Sequence, residues 1–326
     1  MISEKENIMR FYRHEKPYRL PDVSYIHYVH PAKGFLERPV DSEDMTTDWF
    51  GVEYVYDANA KVSLPDIQKK PVVSDILRWR EEVVFPDLDG WDWEKAAGLD
   101  GIENVDREQK LVVPLVQCGL YERLHSLMGM EAAMVAMLTD PYDISELLDA
   151  IAQYKIKLFE YIIEYYKPDI IRHHDDWGTQ VSMQMSPAIW RELIKPHVAK
   201  FVEVCHNKGV LYEQHSCGLI EPIIPDLVQI GVDSWQGMHI NDVVCLKNQT
   251  CGRLNYHMSL DVQKYMADDH AGLLDETKLR KSVRDTILSS AEGGHYFPVL
   301  AINDQSWWGT GVIIDEISNC IEVMKY

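Results

Sequence analysis

Little in this chain suits it to a membrane or a nucleic acid. No stretch reaches the roughly 18 uncharged apolar residues of a spanning helix. Positive charge is scarce: 32 Lys and Arg stand against 52 Asp and Glu, and the net charge of −20 repels nucleic acid and anionic lipid surfaces. Cysteines are few and dispersed. The six, Cys118, Cys205, Cys217, Cys245, Cys251 and Cys320, form no CxxC pair, which argues against a disulfide framework and leaves thiols as ligands or nucleophiles. Internal repeats, low-complexity tracts and Gly/Ser linkers are also missing, which excludes a solenoid and tethered modules. The opening MISEKENIMRFYRHEKPYRLP lacks the apolar core of a signal peptide, and this predicts a cytoplasmic protein.

What is present is enough for one large core. A chain of 326 residues with 46% hydrophobic content suits a single (β/α)8 barrel over 1–326, an α/β TIM barrel. Residues 1–106 read as an N-terminal segment and cap, with Trp49, Trp79, Trp91 and Trp93 ordering helices and loops. Residues 107–326 carry the main barrel strands and helices. Strands are expected over 111–116, 169–175, 210–217, 232–236, 253–259 and 295–303. Helices are expected over 131–137, 141–166 with Asp140 as cap, 187–207, 220–230, 276–291 and 310–324. Alternation of this kind predicts a parallel sheet whose functional groups lie beyond the carboxyl ends of its strands.

Those ends read HHDDWGTQ, EQHSCG, WQGMHIND, NYHMSLD and AINDQSWW. His215 and Cys217 lie two residues apart on a strand and therefore share a face, as does Glu213. An imidazole and a thiolate presented together suit zinc, and Glu213, His257 or Asp304 is the expected further ligand. The competing role is a buried Cys beside a hydrogen-bonded His. Asp175 and Asp176 are adjacent, so one is expected to face the lumen, to hold substrate or move a proton, and the other the wall. His257 ends its strand and is a third catalytic candidate. Trp177, Gln180, Trp235, Asn303, Trp307 and Trp308 are the expected lining of a substrate pocket, against the alternative that the tryptophans are core. Cys205 and Cys320 fall on helical patterns, and Cys251 precedes its strand, so these thiols read as structural.

The segments ENIMRFYRHEKPYRLPDV, GMEAAMVAMLTDPYDISELLDAI, HHDDWGTQVSMQMSPAIWRELIKPH and HSCGLIEPIIPDLVQIGVDSWQ together resemble the uroporphyrinogen decarboxylase-like superfamily. The resemblance implies a (β/α)8 barrel, and homodimers are common in that superfamily. Its decarboxylases bind an octa-anionic porphyrinogen through an arginine-rich N-terminal segment. Here Arg10, Arg13, Arg19 and Arg38 are scattered. The corrinoid-linked methyltransferase branch carries His-x-Cys on a strand as a zinc site, which His215 and Cys217 match. The coenzyme M branch adds a C-terminal Gly-Cys, where this chain reads PVLAINDQSWW. The resemblance therefore implies a zinc-dependent methyltransferase acting between a small methoxylated, often aromatic, compound and the corrinoid (cobalamin) of a partner protein, as in anaerobic O-demethylation. A methylcobamide:thiol (coenzyme M-type) methyltransferase, a tetrapyrrole decarboxylase and a non-catalytic corrinoid-binding or partner-binding relative are the alternatives.

Overall fold

The structure, a computed structural model, describes residues 2–31, 37, 47–58, 62–300 and 306–326. The strands are β1 (Ile26–Val29), β2 (Tyr54–Asp57), β3 (Val62–Pro65), β4 (Leu111–Val116), β5 (Ile170–His174), β6 (Leu211–His215), β7 (Ser234–Gly237), β8 (Asn255–Ser259) and β9 (Tyr296–Val299). β2 and β3 form a small antiparallel hairpin. The other seven make one sheet in the order β1-β4-β5-β6-β7-β8-β9, and every ladder in it is parallel.

Parallel neighbours need a long crossover. Helices supply it, among them Pro141–Tyr166 between β4 and β5, Lys195–Asn207 between β5 and β6, and Glu276–Ala291 between β8 and β9. Ile144, Leu147, Leu148 and Ile151 of the first of these are fully buried, the stripe that a helix laid on a sheet must present.

The sheet is curled. Arg172 on β5 donates to Tyr28 on β1 at 3.1 Å and lies 2.9 Å from His257 Nδ1 on β8. A flat sheet would put β8 about 14 Å from β5, so the strands must wrap around a common lumen. Among the described residues no ladder joins the edges β1 and β9, and the observed unit is a seven-stranded curled sheet where eight closed strands were expected. The expected strand 295–303 is described as far as Val299, with residues 301–305, including Asn303 and Asp304, outside the described residues.

Local departures have local causes. The expected helix 187–207 is two, Pro187–Leu193 and Lys195–Asn207, because Pro196 lacks an N–H and its ring crowds the carbonyl four residues earlier. Asp140 precedes helix Pro141–Tyr166 but its side chain makes no capping bond. Helices Leu120–Met128, Val243–Thr250 and Val262–His270 were not read from the sequence. Described parts of the N-terminal segment pack along helix Pro141–Tyr166: Trp93 stacks on Tyr161 at 5.2 Å, and Phe50 meets Tyr154 edge-on at 5.1 Å. No helix among the described residues is long and apolar enough to cross a membrane.

Candidate metal centre at the sheet rim

Register brings the site together. His174, His215, Gln236 and His257 are successive partners across β5, β6, β7 and β8, and one layer below them run Arg172, Glu213, Ser234 and Asn255. Strand alternation returns the chain to the lumen two residues later, at Asp176, Cys217 and Ser259.

His174 and His215 stack with ring centroids 4.1 Å apart and planes 13° from parallel. His174 Nδ1 lies 2.8 Å from a Glu122 carboxylate oxygen, and His215 Nδ1 meets the Gln236 side-chain oxygen. Both partners accept, so each Nδ1 carries a proton and each Nε2 turns to the same spot. There Asp176 Oδ1 lies 3.3 Å from His215 Nε2 and 4.0 Å from His174 Nε2. One ligand atom from each of His174, Asp176 and His215 lies within 4.8 Å of the others, close enough to hold a metal ion. Cys217 Sγ is 3.4 Å from His215 Nε2, and the Cys217 amide donates to Asp176 Oδ1 at 2.6 Å.

The charges favour a cation. Burial would raise the Asp176 carboxyl, but His174 and His215 outweigh it and hold it well below the usual carboxylate range. Burial and His174 push the His215 imidazole down, while bonds to Asp176 and Cys217 more than compensate and raise it to about 9. A cation among these atoms takes the place of that proton. Two imidazoles and a carboxylate, with both imidazoles oriented by outer oxygens and the Cys217 thiol beside one of them, are compatible with zinc.

Other expected site residues lie elsewhere. Asp175 is fully buried in the wall, accepts from Tyr121 N, Glu122 N and Trp177 Nε1, and so caps helix Leu120–Met128. Burial and Glu122 push its carboxyl up to about 7. Glu213 sits one layer below the cluster, where it is engaged by Arg172, Tyr12 and Ser234. Burial would raise it, but Arg172 and His257 hold it well below the ordinary value. His257 joins this lower network, packs 3.8 Å from the Phe297 ring, and is pushed down to about 4 chiefly by burial.

The tryptophans do not converge on a pocket. Trp177 packs edge-on against Trp190 at 5.1 Å and Trp235 against Tyr256 at 6.2 Å, both in the wall. Trp307 and Trp308 both donate to Asp269. Gln180 is exposed. All six cysteines are free, with Cys205 and Cys320 buried on helices. Sequence reasoning did not place His174 in the cluster. Its signal was present in the spacing, because His174-x-Asp176 repeats on β5 the lumen-facing pattern of His215-x-Cys217 on β6.

A sequence model of the family described as uroporphyrinogen decarboxylase (URO-D) matches residues 122–254, a span that holds the whole cluster. Among solved structures, a methyltransferase from Methanosarcina mazei is similar in fold, with a TM-score of 0.69 and 14% identity over 98% of this chain and 99% of that one. An N-acetyl-D-glucosamine-6-phosphate deacetylase from Mycobacterium smegmatis superposes at a TM-score of 0.29 and 8% identity, over 71% of this chain and 68% of that one, too weak to carry an argument. No curated protein matches at a significant level.

Proposed function

We propose, from the match of residues 122–254 to the uroporphyrinogen decarboxylase family and from the rim cluster, that the chain is a zinc-dependent methyltransferase of the uroporphyrinogen decarboxylase-like superfamily. It moves a methyl group between a small methoxylated compound and the corrinoid of a partner protein. The observation that carries the reading is the His174–Asp176–His215 triad, with Cys217 Sγ 3.4 Å from His215 Nε2. The likeness in fold to a methyltransferase supports it.

His174, His215, Asp176 and Cys217 are the residues that would hold zinc. Bound there, zinc supplies a Lewis acid for the oxygen from which the methyl group departs. The protein's own contribution is orientation: Glu122 and Gln236 fix the two imidazoles, and the Cys217 amide fixes Asp176. Asp176 is too acidic to serve as a proton source and instead offers a permanent negative charge. Beneath the cluster, Arg172 and Glu213 form an ion pair that neutralises both charges. The reading further takes 1–326 as one domain, its sheet closed into an eight-stranded barrel, working in the cytoplasm as a homodimer.

Elemental analysis tests it. Wild type is expected to hold about one zinc per chain, and His174→Ala, His215→Ala and Cys217→Ser are expected to lose it while keeping their fold. Wild type that stays metal-free after reconstitution under reducing conditions would overturn the zinc mechanism and bring forward a decarboxylase or a binding protein.

A further inference from the structure

Above the metal cluster, at the mouth of the lumen, three side chains line up that the proposed chemistry has not yet used. His239 Nε2 lies 3.2 Å from Asp261 Oδ1, and His239 Nδ1 lies 3.5 Å from Ser259 Oγ. Ser259 also accepts from the His239 amide at 3.3 Å, so the loop that carries the imidazole is docked on this hydroxyl. Ser259 ends β8 two residues beyond His257, which places it on the lumen face in the layer of Asp176 and Cys217.

The loop is also tied to the metal side. Gly218 N donates to Met238 Sδ at 3.2 Å, and Asn241 bonds Gly218 O and Ile220 N, both at 3.0 Å. Asp261 is fixed in turn, because its Oδ1 accepts Lys264 N at 3.0 Å and caps helix Val262–His270. Helix capping alone accounts for the aspartate but not for an imidazole seated between it and a lumenal hydroxyl. An imidazole with a carboxylate on one nitrogen and a hydroxyl on the other is arranged to pass a proton.

We propose that Ser259, His239 and Asp261 form a general-acid relay that protonates the alcohol released on demethylation, an inference that rests on the methyl-transfer reading above. The methyl C–O bond breaks and its electron pair stays on the oxygen. The methyl group passes to reduced corrinoid cobalt, which supplies the pair for the new bond and is oxidised by two electrons. The oxygen takes the Ser259 hydroxyl proton, Ser259 takes the His239 Nδ1 proton, and the neutral imidazole regains a proton from water at the mouth. Methyl ether, reduced cobalt and one proton thus give alcohol and methylated cobalt. The substrates implied are ethers whose departing oxygen is basic enough to need a proton, which are aliphatic methyl ethers and electron-rich aryl ones.

The test uses the zinc-loaded full chain, free reduced cobalamin as methyl acceptor, and two aryl methyl ethers, one bearing a nitro group and one an electron-donating group. His239→Gln and Ser259→Ala are compared with wild type. Both variants are expected to lose roughly a hundred-fold in kcat with the electron-rich ether and only a few-fold with the nitro ether. Zinc content is expected to stay at the wild-type level in both. Asp261→Asn keeps the helix cap, since Asn caps as well as Asp, and is expected to reproduce the leaving-group dependence of His239→Gln. Equal losses with both ethers, or loss of zinc, would overturn the relay while leaving methyl transfer standing. Failure of wild type to demethylate either ether, with zinc bound and cobalt reduced, would remove the methyl-transfer reading and the relay with it.

Discussion

His173 and His174 are adjacent and identical in type, yet they do opposite things. His173 faces the wall, where Phe159 and Phe201 meet it edge-on and Tyr212 bonds its Nδ1 at 2.9 Å; burial and Lys155 push its imidazole well below the ordinary value. His174 faces the lumen and joins the cluster. Alternation explains the split, and the register of β5 against β6 decides which of the two meets His215. A third histidine yields a prediction for stability. His206 Nε2 lies 2.8 Å from Asp233 Oδ2, and that bond raises its imidazole against the smaller opposing effect of burial. A group whose pKa rises on folding stabilises fully below its unfolded value, about 6.5 for His, and loses that contribution as pH climbs through the folded value. His206→Gln should therefore flatten the decline in stability above about pH 6.5, by well under 1 kcal/mol because the ring is partly exposed. Urea unfolding at pH 6 and pH 8.5 checks it, and an unchanged pH slope would rule the pair out as its source.

At the scale of elements, the cluster depends on two loops passing unusually close. A Cβ on Gly178, after β5, would lie 2.7 Å from the Gly218 carbonyl carbon, and one on Gly218, after β6, would collide with the Gly178 backbone. Gly218 also has φ of +83°, a conformation that L side chains rarely adopt. This contact holds the Cys217 loop against the Asp176 loop, assisted by the Leu219 amide bonding to Thr179 O at 2.8 Å. Gly218→Ala should push the loops apart by the width of a methyl group. The expected outcome is at least a ten-fold weaker hold on zinc, read by competition with a chelator, together with a loss of roughly 1–3 kcal/mol in stability. Wild-type zinc affinity in a folded Gly218→Ala protein would show that the close approach does not position the ligands.

At the scale of the molecule, buried ion pairs join the N-terminal segment to the rest of the fold. Arg123 and Asp48 pair at 2.5 Å with both side chains fully buried, and Lys155 meets Glu37 at 2.7 Å. Arg123 also lies over the Phe50 ring, 4.1 Å from its centroid. Breaking such a pair leaves a charge buried without compensation. Asp48→Ala is expected to cost about 3–5 kcal/mol in urea unfolding, and the double variant Asp48→Leu with Arg123→Met much less, because it removes both charges. A double variant as unstable as the single one would mean that the hydrogen bonds Asp48 accepts from the Phe50 and Val52 amides, not its charge, hold the segment.

The sequence alone determined the class of fold and half of the cluster. Alternating apolar runs and helix signals require a parallel sheet, and a His-x-Cys spacing on a strand puts both side chains on one face whatever surrounds it. Periodicity is local, so it survives without tertiary information. The tertiary structure decided everything that depends on register and curl. It brought His174 and Asp176 beside His215, lowered Glu213 into a network with Arg172, turned Trp177 and Trp235 into wall, and faced His239 toward Ser259 and Asp261. A strand's own sequence says which residues share a face, but only its neighbours fix which faces meet, because a shift of one residue exchanges lumen for wall.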